Sequence, residues 1–219
     1  MPLPDDFESL EDLPADHLAL TYLESRGFDP AEISTWGVGF SIEADWWGSA
    51  GRLVVPFRHH DRGPDAPPIG WMTRQLVPSP QALKYSTAKG FTKSHFLYGL
   101  DRAEDGKGPV LVCEGVTDVW RAGHDAVALI GKSCSETQLQ LLRARFRGRP
   151  RVVALDGDAR PEAEALANRL KEARRSSLVQ VDESPVVVMT LDLSTDPADL
   201  SRDELWDLAR QSLASGRQA

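Results

Sequence analysis

From residue 108 onward the chain repeats one pattern, a short apolar run followed by a stretch patterned as a helix. The apolar runs are "PVLVCEG", "DAVALIG", "RVVALDGD" and "SPVVVMTL", and between them lie "TDVWRAGH", "SETQLQLLRARF" and "PEAEALANRLKEARR". Uniformly apolar short strands that alternate with helices are covered on both faces, so the pattern specifies an α/β fold with a mainly parallel sheet of about four strands. In "SETQLQLL", Ser135 and Gln138 stand three apart, the spacing of a capping box that opens a helix.

Three of the apolar runs finish in acid: Glu114 after "VLVC", Asp156 and Asp158 after "VVAL", and Asp192 with Asp196 after "VVVMTL". All strands of a parallel sheet present their carboxyl ends on one edge, so these groups are expected to converge there. Asp118 lies one helical turn beyond Glu114 and is expected to face the same space. Taken singly, each aspartate reads equally as a turn former or helix cap, Asp156-Gly157-Asp158 above all. Glu114-Gly115 is harder to explain that way, because glutamate is a poor turn former. Crowded carboxylates repel one another, which raises a pKa or calls for a cation, and a hard divalent ion such as Mg²⁺ takes oxygen ligands of this kind.

The first half is patterned differently. "DHLALTYLESRGF" predicts a helix with Gly27 at its C-terminal cap, and "DPAEIS" a second with Asp29 at N-cap and Pro30 at N1. "RLVVPF" and "IGWMTRQLV" read as strands, separated by the loop "HHDRGPDAPP", in which His59-His60 finds no third metal ligand at a useful spacing. Charge is segregated: residues 1–48 hold one basic residue against eleven acidic ones, whereas 49–95 hold seven (Arg52, Arg58, Arg62, Arg74, Lys84, Lys89, Lys93) against two. A basic middle of this kind permits contact with a polyanion despite the net charge of −8. The arginines of "RARFRGRPR", at the end of a helix, read as a solvated face.

Two cysteines, Cys113 and Cys134, cannot build a structural zinc site and read as buried thiols. No apolar run approaches the roughly 20 residues that span a bilayer, and the acidic start lacks the features of a signal peptide; a cytoplasmic location with no membrane partner is expected. The expected organisation is an N-terminal subdomain over 1–107, a metal-binding domain over 108–200, and a C-terminal helix or tail over 201–219.

The segments "VCEGVTDVWRAGHDAVALIGKSCSETQLQLL" and "VVALDGDARPEAEALANRL" resemble the Toprim domain, whose signature is a Glu-Gly after one strand and an Asp-x-Asp after another. In order along the chain, "YLESRGFDPAEISTWGVGF", "GRLVVPF", "IGWMTRQL", "KYSTAKGFTKSHFLYGLDRA" and "DPADL" resemble the catalytic core of DnaG-type bacterial and phage primases, from about Leu18 to Leu200. The resemblance implies a nucleotidyltransferase that makes short RNA primers on a single-stranded DNA template from nucleoside triphosphates, with Mg²⁺ or Mn²⁺ as cofactor. Glu114, Asp156 and Asp158 would be catalytic. Those three with Asp118 and Asp196 would hold metal, and Arg52, Arg74, Lys84, Tyr85 and Lys93 would contact template or nucleotide. The chain departs from the family at Ala198, where many relatives have the second Asp of Asp-Pro-Asp, and at "STA" after Lys84-Tyr85. It also shows no zinc-binding motif or helicase-type phosphate loop, so a separate zinc module or replicative helicase is an expected partner. The compact length resembles a phage primase core. Two alternatives use the same residues: a Toprim-type nuclease, which would turn the acids on a phosphodiester, and a catalytically weak nucleic-acid-binding replication factor.

Overall fold

The computed structural model describes residues 1–44, 51–78, 80, 82–103, 105–172 and 182–216; Trp46 and Trp47, which read equally as core or stacking platform, lie outside them. The chain divides into two compact units, Met1–Phe91 and Thr92–Ala219.

In the first unit, β1 (Glu8–Ser9) is followed by α1 (Leu18–Ser25) and α2 (Pro30–Ser34), then by β2 (Gly39–Ser41), β3 (Arg52–Phe57), β4 (Gly70–Gln75) and β5 (Tyr85–Thr87). The strands form an antiparallel sheet in sequential order. α2 begins and α1 ends as their residues dictate. Asp29 accepts a hydrogen bond from the Ala31 amide at 2.9 Å ahead of Pro30, and Gly27, past the end of α1, takes φ 71°, a conformation open to glycine because it has no Cβ. All six residues of β3 are buried.

The second unit is built on the alternating segments: β6 (Val110–Cys113), α3 (Val116–Ala122), β7 (Ala126–Ala128), α4 (Glu136–Arg145), β8 (Arg151–Ala154), α5 (Arg160–Glu172), β9 (Val186–Val188) and α6 (Arg202–Gly216). The four strands are parallel in the order β7-β6-β8-β9. The capping box at Ser135 forms in both directions: its Oγ accepts from the Gln138 amide at 3.1 Å and its amide donates to Gln138 Oε1 at 3.0 Å. Leu97, Val110, Val127, Leu139, Leu142, Phe146, Val153 and Leu166 belong to one apolar cluster beneath this sheet.

Residues 92–107 were expected with the first half but group with the second unit. Tyr98 explains this, exchanging backbone hydrogen bonds of 3.0 Å with Ala128 at the free edge of β7, while its hydroxyl accepts from Trp120 Nε1 at 2.8 Å. The arginine-rich segment is a solvated face only in part: Arg147 is exposed and Arg143 and Arg145 are half-buried. Arg149 and Arg151 are buried, and they donate to Asp125 at 2.5 Å and Asp182 at 2.6 Å. Cys113 and Cys134 are free thiols. Among the described residues no helix is long and apolar enough to cross a membrane.

Candidate metal centre and nucleic-acid contacts

The strand order creates the site. After β6 the chain moves to one side to lay down β7, then returns across β6 to lay down β8 on the other. The loops leaving β6 and β8 therefore diverge, and the crevice between them at the carboxyl edge is where open α/β sheets bind ligands. Glu114 follows β6 directly, and Asp156 and Asp158 stand two and four residues past the end of β8.

Gly157 lets the Asp-x-Asp turn sit close against the segment after β9. Its amide donates to the Thr195 carbonyl at 3.1 Å, and a Cβ on residue 157 would collide with the Asp192 carbonyl oxygen. Asp192 thus enters the site region through its backbone. The same contact brings Asp196 beside Asp156, close enough for a side-chain hydrogen bond.

The electrostatics match a crowded acidic site. Burial, then repulsion from Asp156, raises the Glu114 carboxyl to about 7. Burial, then repulsion from Asp196 and Asp158, raises Asp156 to about 6. Glu114 Oε2 is buried and has no hydrogen-bond partner among the described residues. A buried acceptor left unsatisfied is costly unless something else meets it. A hard cation held by Glu114, Asp156, Asp158 and Asp196 would do so, and an all-oxygen donor set fits Mg²⁺ or Mn²⁺.

Asp118 differs from the expectation for it. It is only 3% exposed; its Oδ2 accepts from the Gly115 amide at 2.8 Å, and it takes a second backbone hydrogen bond from Ala198. Burial first, and Asp156 and Asp196 further, push it up to about 8, against the pull of those two amides. Asp118 therefore braces the Glu-Gly turn and ties it to the segment after β9, rather than facing solvent as an open ligand. Asp199, next to Ala198, accepts from the Asp196 amide at 3.0 Å and caps that turn.

One charged group of this edge is not among the expected site residues. Lys132, on the loop after β7, donates to Asp158 Oδ2 at 2.7 Å. Its charge also lowers the pKa of both Glu114 and Asp156.

The basic candidates fall in both units. Across the β4–β5 pair, Arg74 faces Tyr85, donating from Nη1 to the Tyr85 hydroxyl at 2.5 Å and from Nε to the Tyr22 hydroxyl at 2.8 Å. Its guanidinium lies 4.7 Å from the Tyr85 ring centroid, and Lys84 Nζ lies 5.9 Å from it, so the three form one cationic and aromatic surface at the edge strand. Arg52 is fully buried, and its Nη2 donates to the Leu83 and Lys84 carbonyls at 2.5 and 3.3 Å. Arg52 thus holds the backbone that presents Lys84 and Tyr85 and does not itself reach a surface. Lys93, in the second unit, donates to the Ile130 carbonyl at 2.8 Å. The His59-His60 pair does gain a third group: ligand atoms of His59, His60 and the exposed Asp61 lie within 4.8 Å of one another.

No protein-family model matches the chain, and no curated protein matches it by sequence. Solved structures do. A primase from Aquifex aeolicus comprising zinc-binding and RNA polymerase domains aligns at TM-score 0.70 and 22% identity, over 92% of this chain and 57% of that one. A DnaG primase catalytic domain bound to single-stranded DNA aligns at 0.70 and 22%, over 94% and 75%. The RNA polymerase domain of the Mycobacterium tuberculosis primase DnaG, in complex with double-stranded DNA, aligns at 0.66 and 26%, over 93% and 76%. The chain thus spans little more than half of the Aquifex protein and about three quarters of the other two. Its fold is that of the DnaG primase catalytic core.

Proposed function

We propose that the protein is a DNA primase core, a metal-dependent nucleotidyltransferase that joins ribonucleotides into short primers on single-stranded DNA during replication. The observation that carries this reading is the convergence of Glu114, Asp156, Asp158 and Asp196 at the β6/β8 crevice, with Glu114 Oε2 buried and unmet, in a chain with the fold of a primase core.

Glu114, Asp156 and Asp158 are assigned as the residues that hold Mg²⁺ or Mn²⁺, with Asp196 completing the set and Asp118 fixing the Glu-Gly turn beneath them. The bound ion would offset negative charge on the attacking and leaving oxygens. Arg74, Lys84 and Tyr85 are assigned to the strand, the cations meeting phosphates without regard to sequence and the tyrosine offering a face for a base. DNA is bound by the DnaG catalytic domain and the M. tuberculosis domain that share this fold. Lys93 is assigned to the incoming nucleotide, and Arg52 acts beneath this surface as a positioning residue. Selection of a start site would come from a zinc-binding module or helicase outside these 219 residues.

The test is direct. Wild type and the Asp156→Ala/Asp158→Ala variant are incubated with single-stranded DNA, labelled ribonucleotides and Mn²⁺ or Mg²⁺. Metal-dependent extension products that vanish in the variant are expected; shortened DNA with no extension would replace the primase assignment by a nuclease.

A further inference from the structure

The loop after β7 carries a cation into the acidic edge, and its backbone is held in an uncommon conformation. Lys132 and Asp158 are 40% and 58% exposed, and an ion pair of that kind is worth little by its contact alone. The presenting backbone is more informative. Ile130 takes φ 59°, a left-handed conformation that is a genuine outlier for a β-branched residue. Gly131 follows at φ 138°, a region that favours glycine.

Two hydrogen bonds hold this turn. Lys93 Nζ meets the Ile130 carbonyl at 2.8 Å, and the Gly131 amide donates to the Glu114 carbonyl at 3.1 Å. The second ties the loop to the backbone of the first ligand residue. Strain of this kind persists only where the surroundings enforce it, and it clusters at functional sites. Here it aims a lysine at the most exposed of the acids.

We propose that Lys132 is a tethered competitor for the metal position at Asp158: its ammonium occupies the cation place beside that carboxylate, and a divalent ion must displace it to take Asp158 as a ligand. The inference rests on the metal assignment of the acidic edge made above. Lys132 also offsets part of the repulsion among Glu114, Asp156 and Asp158, so the edge keeps its geometry before an ion arrives. A long side chain on an anchored backbone suits this role, since it swings aside without moving the carboxylates.

Mn²⁺ alone is titrated into the whole chain at low ionic strength, with binding followed by electron paramagnetic resonance and calorimetry, for wild type, Lys132→Met and Lys132→Arg. Lys132→Met is expected to bind Mn²⁺ about 2- to 5-fold more tightly than wild type, the range for removing an exposed ion pair, and Lys132→Arg to stay near wild type. Unchanged or weaker binding by Lys132→Met, or tightening shared by Lys132→Arg, overturns the proposal while leaving the metal assignment intact. Absence of Mn²⁺ binding in wild type and Lys132→Met alike overturns both.

Discussion

Replacing Asp156 by asparagine should make the metal-free protein more stable at pH 8, although it removes a metal ligand. Asp156 is half-buried among Asp196, Asp158 and Glu114, and its carboxyl rises from 3.8 to about 6. A carboxyl raised on folding favours the protonated native state. Its stabilising effect is present below about pH 4 and is lost as the pH climbs through 6. The rise corresponds to about 3 kcal/mol at about 1.4 kcal/mol per pH unit. Solvent screening of a half-buried group leaves roughly half of that, about 1.5 kcal/mol. Asparagine keeps the shape without the charge. For a chain of 219 residues, 1.5 kcal/mol moves the melting temperature by about 3–6 °C. In calorimetry with EDTA, Asp156→Asn should melt higher than wild type by that margin at pH 8 and match it near pH 4. With saturating Mn²⁺ at pH 8 the order should reverse, because only wild type gains the full binding free energy. A lower melting temperature for the variant in EDTA at pH 8, or an equal gain at both pH values, would refute the crowding argument.

Gly157→Ala places a methyl group against the Asp192 carbonyl, and overpacking against backbone costs about 1–3 kcal/mol; urea denaturation should show the loss, and Mn²⁺ affinity should fall with it as Asp196 is pushed from Asp156. Arg52→Met leaves the Leu83 and Lys84 carbonyls without their charged donor, a loss of about 1.5–3 kcal/mol, yet the salt dependence of single-stranded DNA binding by the folded protein should be unchanged, because Arg52 neutralises no phosphate. Asp182→Ala removes the carboxylate that pairs with the buried Arg151 guanidinium and should cost about 1.5–3 kcal/mol by denaturant titration at pH 7. Burial works to raise the Asp182 carboxyl but is outweighed by the Ser184 amide and Arg151, which hold it below 3.8. The contribution is therefore present above that value and lost as the pH falls further, so the gap between variant and wild type should narrow as the pH drops below 3.8.

The sheet was legible because buried parallel strands write themselves as apolar runs, and the acids were legible because they stand where those runs stop. Lys132 ends the "DAVALIG" run by the same logic, and its signal was available: the carboxyl end of β7 lies on the same edge as those of β6 and β8. A lone lysine has no spacing pattern of its own, and attention to acids passes over it. Asp118 shows the opposite case. Glu-Gly-x-x-Asp puts an acid three residues after Gly115, the place from which a side chain reaches back to the N-cap amide, so its bracing role was written in the motif that marked it as a ligand. Arg52, Arg149 and Arg151 were hidden for a different reason. Each donates to carbonyls or to an acid 24 to 32 residues away, and one-dimensional patterning does not pair such distant groups. Residues 92–103 carry too little periodicity to reveal that Tyr98 completes the edge of β7.

The crossing of the chain over β6 has a kinetic corollary. Glu114, Asp156 and Asp196 are separated by 42 and 40 residues, and they become neighbours only when β6, β8 and the segment after β9 are all in place. An unfolded chain offers an ion no more than the Asp-x-Asp pair, so the ion cannot template the sheet in the way a structural zinc templates a small finger. Parallel pairing over such separations is slow to form. Contacts completed after the rate-limiting step act on escape from the native state rather than on arrival. Loading this centre should therefore lengthen the lifetime of the folded protein while leaving the rate of refolding almost untouched.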